Sequence, residues 1–403
     1  MPPERPPSRL RAAFSGRGLV RSPSLQTGEE RTASRLELFF DLAFVLVIAE
    51  LAGALRHDVT WHGVGVFAGL FTITWWSWVS STLYANRFDH DDVVFRLYKL
   101  TGMLAVIGLA ATATDATGSR SVLFAGCNIV LRLLLLSQYA RAYRHVHAAR
   151  ATVRLYLLGL GIGVVLWAVS TAVPGPARYV LWAVAVLVEA AVPLLSTAVE
   201  EAVPLHLEHL PERFALLVIL VLGESVAAVA HGVHDAHWTG DAVAVGVAAF
   251  VLTAALWWTW FDLAGAGAKR LLTRSGGHRS ATEHDVFVFG QLPLCLALAA
   301  VGAGIQLAVL QSAAGQVPAP TRLLLAGGVA LYLAAVGVTN AAMARTWRSV
   351  WLWPAAAAVL AVLDAAVALP AVVVVGALAA LLVALLVVGV AGQAEGHLEG
   401  DSV

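Results

Sequence analysis

Acidic side chains stand where the sequence is otherwise apolar. Glu37, Asp41 and Glu50 lie in ELFFDLAFVLVIAELAGAL, Glu189 in YVLWAVAVLVEAAVPLL, Glu224 in ERFALLVILVLGESVAAVA, and Asp262 follows a tryptophan cluster; Arg132 is a basic counterpart inside another apolar run. An ionisable group in hydrocarbon costs about 2.5 to 3.5 kcal/mol on insertion scales, so it persists where it binds, relays a proton or pairs. Glu37 and Asp41 are one turn apart and share a helix face, whereas Glu50, nine residues beyond Asp41, faces the opposite way. Two carboxyls in a poorly hydrated site compete for one charge, which is the chemistry of a proton carrier. The residues expected to line a substrate or ion path are Glu37, Asp41, Glu50, Trp76, Arg132, Glu189, Glu224, Trp258 and Asp262. The structural alternative is that Glu37 and Glu212 cap helix starts, where the macrodipole favours carboxylates, and that Arg132, Glu189 and Asp262 pair with one another or within this set.

A second chemistry is carried by Asn86-Arg87-Phe88-Asp89-His90-Asp91-Asp92. Asp89, Asp91 and Asp92 resemble the Asp-x-Asp-Asp acid motif of cation-generating terpene cyclases, and aspartate clusters hold magnesium diphosphate in membrane prenyltransferases. On that reading the chain is an enzyme using Mg; otherwise no cofactor is implied. The same aspartates suit the dipole of a following helix, and Asp92 with Arg96 is an i,i+4 pair. Arg87, Arg96 and Lys99 beside them form a rim able to take a lipid phosphate. His231, His234 and His237 have spacing that can hold zinc, but a histidine turn next to glycine reads as solvated, and no metal site is assigned.

These residues must be positioned by membrane helices. Of 403 residues, 59% are hydrophobic and only 13% charged, against roughly 25% charged in a soluble domain. This excludes a soluble enzyme. The 26 basic and 26 acidic residues balance, so no cationic excess is present to hold nucleic acid. Cys127 and Cys295 lie in apolar runs and support neither a disulfide framework nor a cysteine zinc site. Apolar runs of about 20 residues give twelve spans: 36–55, 62–84, 95–115, 121–143, 153–173, 177–199, 211–231, 240–264, 286–310, 321–341, 349–368 and 370–391. Residues 1–35 read as a disordered tail, 200–210 as a linker and 392–403 as a short C-terminal tail. With the N-terminus inside, 21 Lys and Arg fall on the cytoplasmic side and 4 opposite, which places both termini in the cytoplasm. Gly159, Gly161 and Gly163 read as close helix packing.

The spans repeat. Glu37 and Glu212 open the first and seventh; Trp75-Trp76-Ser77-Trp78 and Trp257-Trp258-Thr259-Trp260 close the second and eighth; Asp89-His90-Asp91 and Glu283-His284-Asp285 precede the third and ninth. Six spans separate the copies, so both enter the membrane in one direction. The expectation is an all-α polytopic protein of two parallel six-helix repeats, 36–199 and 211–391. The tryptophans read partly as an interfacial belt and partly as pocket wall. These segments resemble the bacterial low temperature requirement protein A (LtrA) family. The resemblance runs from about 36 to about 390 and implies a polytopic helical membrane protein linked by name to growth in the cold. The family's marked positions fall on Glu37, Phe40, Asp41, Arg87, Asp89, Asp92, Glu212, Arg213, Glu224 and Asp262. Leu216 stands where the second copy would carry Asp41, so the halves are not chemically equivalent.

The function expected first is transport of a small solute or cation, proton-coupled through the membrane carboxylates. The alternatives are a membrane enzyme on isoprenoid or lipid substrates using Asp89, Asp91 and Asp92, and a structural or sensory membrane protein without turnover. The expected partners are the lipid bilayer of the cytoplasmic membrane and a small solute or lipid, with no nucleic acid. The sequence names no solute and no oligomeric state.

Overall fold

The computed structural model describes residues 22–25, 34–89, 92–196, 209–265, 278–344 and 369–400. Its helices are α1 (Arg35–His57), α2 (Trp61–Arg87), α3 (Val93–Ala113), α4 (Ser121–His145), α5 (Arg150–Ala172), α6 (Gly175–Ser196), α7 (His209–Asp235), α8 (Gly240–Trp258), α9 (His278–Leu310), α10 (Ala319–Arg322), α11 (Gly328–Ala344) and α12 (Ala371–Gly400). The end of α8 continues as a π-helical turn, Thr259–Gly265, and a second π turn, Leu323–Gly327, joins α10 to α11. Two short strands, β1 (Ser24–Leu25) and β2 (Phe88–Asp89), pair antiparallel with Leu25 opposite Phe88. Thus a piece of the tail expected to be disordered is held against the end of α2.

Among the described residues, ten helical segments are long and apolar enough to cross a bilayer. The protein is an all-α polytopic membrane protein. Of the twelve spans expected, the second falls on α2, which is 27 residues long. Its tryptophans, threonines and serines lower its hydropathy, and it is not among the ten. The expected span 349–368 and the linker 200–210, apart from the start of α7, lie outside the described residues. Large apolar side chains point outward along the helices, including Leu104 at 70% exposure, Leu158 at 65% and Val388 at 68%. In water such surfaces would aggregate; against acyl chains they cost nothing, so the bilayer is their partner.

Two compact units divide the chain. One comprises the chain through Phe44 with Trp76–His209, and the other Val45–Trp75 with Leu210 to the C-terminus. In the first, α3 to α6 pack in sequence order. Their core is aromatic: Tyr84, Phe88, Phe95, Tyr139 and Tyr156 are all buried, with Leu25 of β1 packed on their edge. Tyr139 stacks on Tyr156 at 4.8 Å and 12°. In α5 a Cβ on Gly159 would collide with Val192 of α6, so the expected close packing is real at Gly159, whereas Gly161 faces open space. In the second unit, α9 is the most enclosed span, with 72% of its apolar window buried; it packs chiefly on α11, while α12 packs on α8.

Local sequence fixes several helix starts. Ser34 and Glu37 form a capping box: the Ser34 amide donates to Glu37 Oε2 at 2.8 Å and the Glu37 amide to Ser34 Oγ at 3.2 Å. Asp92 caps α3 by accepting from the Phe95 amide at 2.8 Å, and its other oxygen holds Arg141 of α4 at 2.5 Å. Asp92→Asn keeps a capping oxygen and loses the charge pair, whereas Asp92→Ala loses both. Thermal unfolding in detergent is expected to place Asp92→Ala about 1 kcal/mol below Asp92→Asn; equal unfolding temperatures would refute the capping role.

Candidate functional site

A buried ion pair of the first unit lies between α2, α4, α5 and α6. Arg132, near the midpoint of α4, is 3% exposed and Glu189 of α6 is 4% exposed. Arg132 Nε donates to Glu189 Oε1 at 3.1 Å. Its Nη1 donates to Ser77 Oγ at 2.8 Å and to Asn128 Oδ1 at 2.9 Å, and its guanidinium lies 5.0 Å from the Trp167 ring centroid. The second carboxylate oxygen accepts from Trp76 Nε1 at 3.1 Å. Both charged groups are therefore hydrogen-bonded as well as paired, which is what a low-dielectric setting requires. Gly163 of α5 makes this possible, since a Cβ there would overlap Glu189 Oε1. Arg132 Nη2 is buried with no hydrogen-bond partner.

A narrow pocket opens beside the pair, lined by Trp76, Ser80, Tyr139, Tyr156, Glu189 and Pro193 among others. It has room for about one water molecule or an ion of that size. Arg87 of α2 is 2% exposed and lies over the Tyr156 ring at 4.7 Å. The Tyr139 hydroxyl sits near Arg87 but forms no hydrogen bond in this geometry. The pocket thus offers one carboxylate, hydroxyls and aromatic walls, with cations on its flanks. Such a lining can bind and pass on a proton or a small cation that competes with Arg132 for Glu189.

The other expected site residues are distributed differently. Asp41 is fully buried and accepts from Trp78 Nε1 at 2.8 Å. Glu37 serves the capping box. Lys99, expected on a phosphate rim, is buried instead: its ammonium donates to Ser81 Oγ at 2.6 Å and lies 4.2 Å from the Phe40 ring centroid. Arg96 is exposed. Asp92 accepts from the Phe95 amide and pairs with Arg141. Asp91 lies outside the described residues, and of Asp89 only the backbone, in β2, is described.

In the second unit Glu224, 8% exposed, faces Arg56 at 3.6 Å. Glu50 is exposed, yet near enough to act on Glu224 electrostatically. Trp258 and Asp262 are exposed, whereas Trp75, Trp76 and Trp78 are buried. No group of three or more His, Cys, Asp or Glu able to hold a metal occurs among the described residues. Sequence reasoning missed Ser77, Asn128 and Trp167 as partners of Arg132. Asn128 was within reach, being one helical turn before Arg132. Arg56 lies just past the expected span 36–55, and nothing in its spacing marks it as the partner of Glu224.

The family model described as Bacterial low temperature requirement A protein (LtrA) matches residues 32–387. An uncharacterized protein of Rhizobium meliloti (strain 1021) is 29% identical over 294 residues, covering 70% of this chain and 71% of that protein. No solved structure matches. The chain belongs to the LtrA family.

Arg132→Met strands a buried carboxylate and is expected to cost about 3 kcal/mol or more in thermal unfolding, while Arg132→Met/Glu189→Leu recovers most of it. Recovery failing in the double variant would show that the pair is not the source of the loss. Gly163→Ala is expected to destabilise strongly in the wild type and much less beside Glu189→Ala, with a coupling of about 1 to 2 kcal/mol. Equal costs in the two backgrounds would remove the carboxylate as the reason for glycine.

Proposed function

We propose that this LtrA protein is a carrier that moves a small solute, best fitted as a cation, across the cytoplasmic membrane in exchange with or alongside protons. The observation that carries the reading is the ion-sized pocket beside Glu189, a carboxylate buried with Arg132 in the middle of membrane helices. Burying both charges is expensive, and replacing such a pair by apolar residues is often no loss to stability. A carrier gives the pair a use: Glu189 exchanges Arg132 for an incoming cation or proton. Glu224 with Arg56 offers a second carboxylate for coupling in the other unit. The reading takes the chain as two parallel six-helix repeats with both termini cytoplasmic, an arrangement supported by the repeated motifs and the basic-residue bias. The isoprenoid-enzyme reading has less support, because the Asp92 carboxylate is occupied by Phe95 and Arg141.

Proteoliposomes loaded with a pH-sensitive dye test the proposal. Gradients of Na+, K+, Mg2+ or an amino acid mixture are imposed in turn, and luminal pH is followed. At least one gradient is expected to move protons only when protein is present, with the rate lowered at least roughly tenfold in Glu189→Gln. A Glu189→Gln rate equal to wild type, or silence across all the gradients, would overturn it.

A further inference from the structure

We infer that Tyr143, Arg150 and Arg154, where α4 turns into α5, form a binding site for the phosphate of an anionic phospholipid headgroup. This does not rest on the transport reading. Arg150 Nε donates to the Tyr143 carbonyl at 3.1 Å, and Arg154 Nε donates to the Tyr143 hydroxyl at 3.1 Å. The two guanidinium carbons lie 5.4 Å and 5.7 Å from the Tyr143 ring centroid. One residue therefore gathers both forks, Arg150 through its carbonyl and Arg154 through its hydroxyl, with its ring beside both, and only the Nε hydrogen of each arginine is used. The terminal nitrogens of each fork have no protein partner among the described residues.

Surface arginines ordinarily find a carboxylate, and among the described residues none bonds to Arg150 or Arg154. No Asp or Glu occurs between Asp115 and Glu189, a stretch that carries seven arginines. Arg141 is satisfied by Asp92, which leaves Arg150, Arg154 and the exposed Arg144, with His145 and His147 exposed beside them. Arg150 and Arg154 are four residues apart at the start of α5, so their stems leave one helix face with Cβ atoms about 6 Å apart, and both guanidinium groups reach the same tyrosine. Two forks gathered at one residue suit a phosphate, because planar N–H pairs match phosphate oxygens better than ammonium does.

The position selects a lipid as the source of that phosphate. α4 ends at His145 and α5 begins at Arg150, both as membrane-crossing helices, so the turn lies at the depth of the headgroups. Next to it the outward faces are apolar, with Leu158 65% exposed along α5, a surface for the acyl chain of the same lipid.

Purified full-length protein in neutral detergent is titrated with dioleoyl phosphatidylglycerol, with phosphatidylcholine, and with inorganic phosphate alone. Adducts are read by native mass spectrometry and stabilisation by the unfolding temperature. Phosphatidylglycerol is expected to bind where phosphatidylcholine does not, and Arg150→Gln/Arg154→Gln to weaken it roughly 20-fold. Arg150→Lys/Arg154→Lys, which keeps the charge and the packing of the stems, is expected to fall between the two; Arg120→Gln, at the other end of α4, is expected to bind as wild type. Should the glutamine variant fold poorly, the lysine variant decides: lipid affinity equal to wild type in it overturns the fork geometry. Unchanged binding in the glutamine variant overturns the site. Inorganic phosphate alone displacing the lipid and giving the same stabilisation overturns the headgroup as ligand.

Discussion

A charged pair buried among apolar helices sets the terms for the first unit. Arg132 and Glu189 hold each other at 3.1 Å, and burying two charged groups together is costly unless the remaining donors and acceptors are satisfied by a shell of partners. Trp76 and Ser77 from α2, Asn128 one turn away on α4, and the face of Trp167 on α5 are drawn in as donors, acceptors and π surface. Because these partners come from four helices, the pair also specifies how those helices are rotated. Gly163 follows from the same demand, since the carboxylate occupies the volume a side chain would need. The glycines of α5 thus serve two neighbours on α6: Gly159 admits Val192 and Gly163 admits Glu189.

The two tryptophan-rich segments are placed differently. Trp75, Trp76 and Trp78 are buried, with Trp76 and Trp78 donating to Glu189 and Asp41. Trp257 and Trp258 are exposed while Trp260 is buried, and their segment leaves α-helical geometry for a π turn at Thr259–Gly265. Glu224 finds its partner in Arg56 of α1.

Much of this was legible in the amino-acid order. Apolar runs of membrane length located the helices, and the rule that a charge in hydrocarbon needs a partner marked Arg132, Glu189 and Asp262 as partners of one another or of the other carboxylates without choosing the pair. Ser34 and Glu37 were open to reading as a capping box, as was Asp92 as a cap. What escaped depends on distances the order does not encode. Lys99 looked like a rim residue because it neighbours Arg96, but its helix turns it toward Phe40 and Ser81. The pairing of Ser24–Leu25 with Phe88–Asp89 involves two residues on each side, too few for any periodicity. The π turns at Thr259–Gly265 and Leu323–Gly327 carry no compositional mark.

Pro193 stands one turn after Glu189 within α6. A proline has no amide hydrogen, so the main-chain oxygen of Glu189 loses the rung it would otherwise share with residue 193, and the pyrrolidine ring pushes against it. α6 is consequently weakened at the turn that bears Glu189, and a small bend there would carry the carboxylate toward or away from the guanidinium.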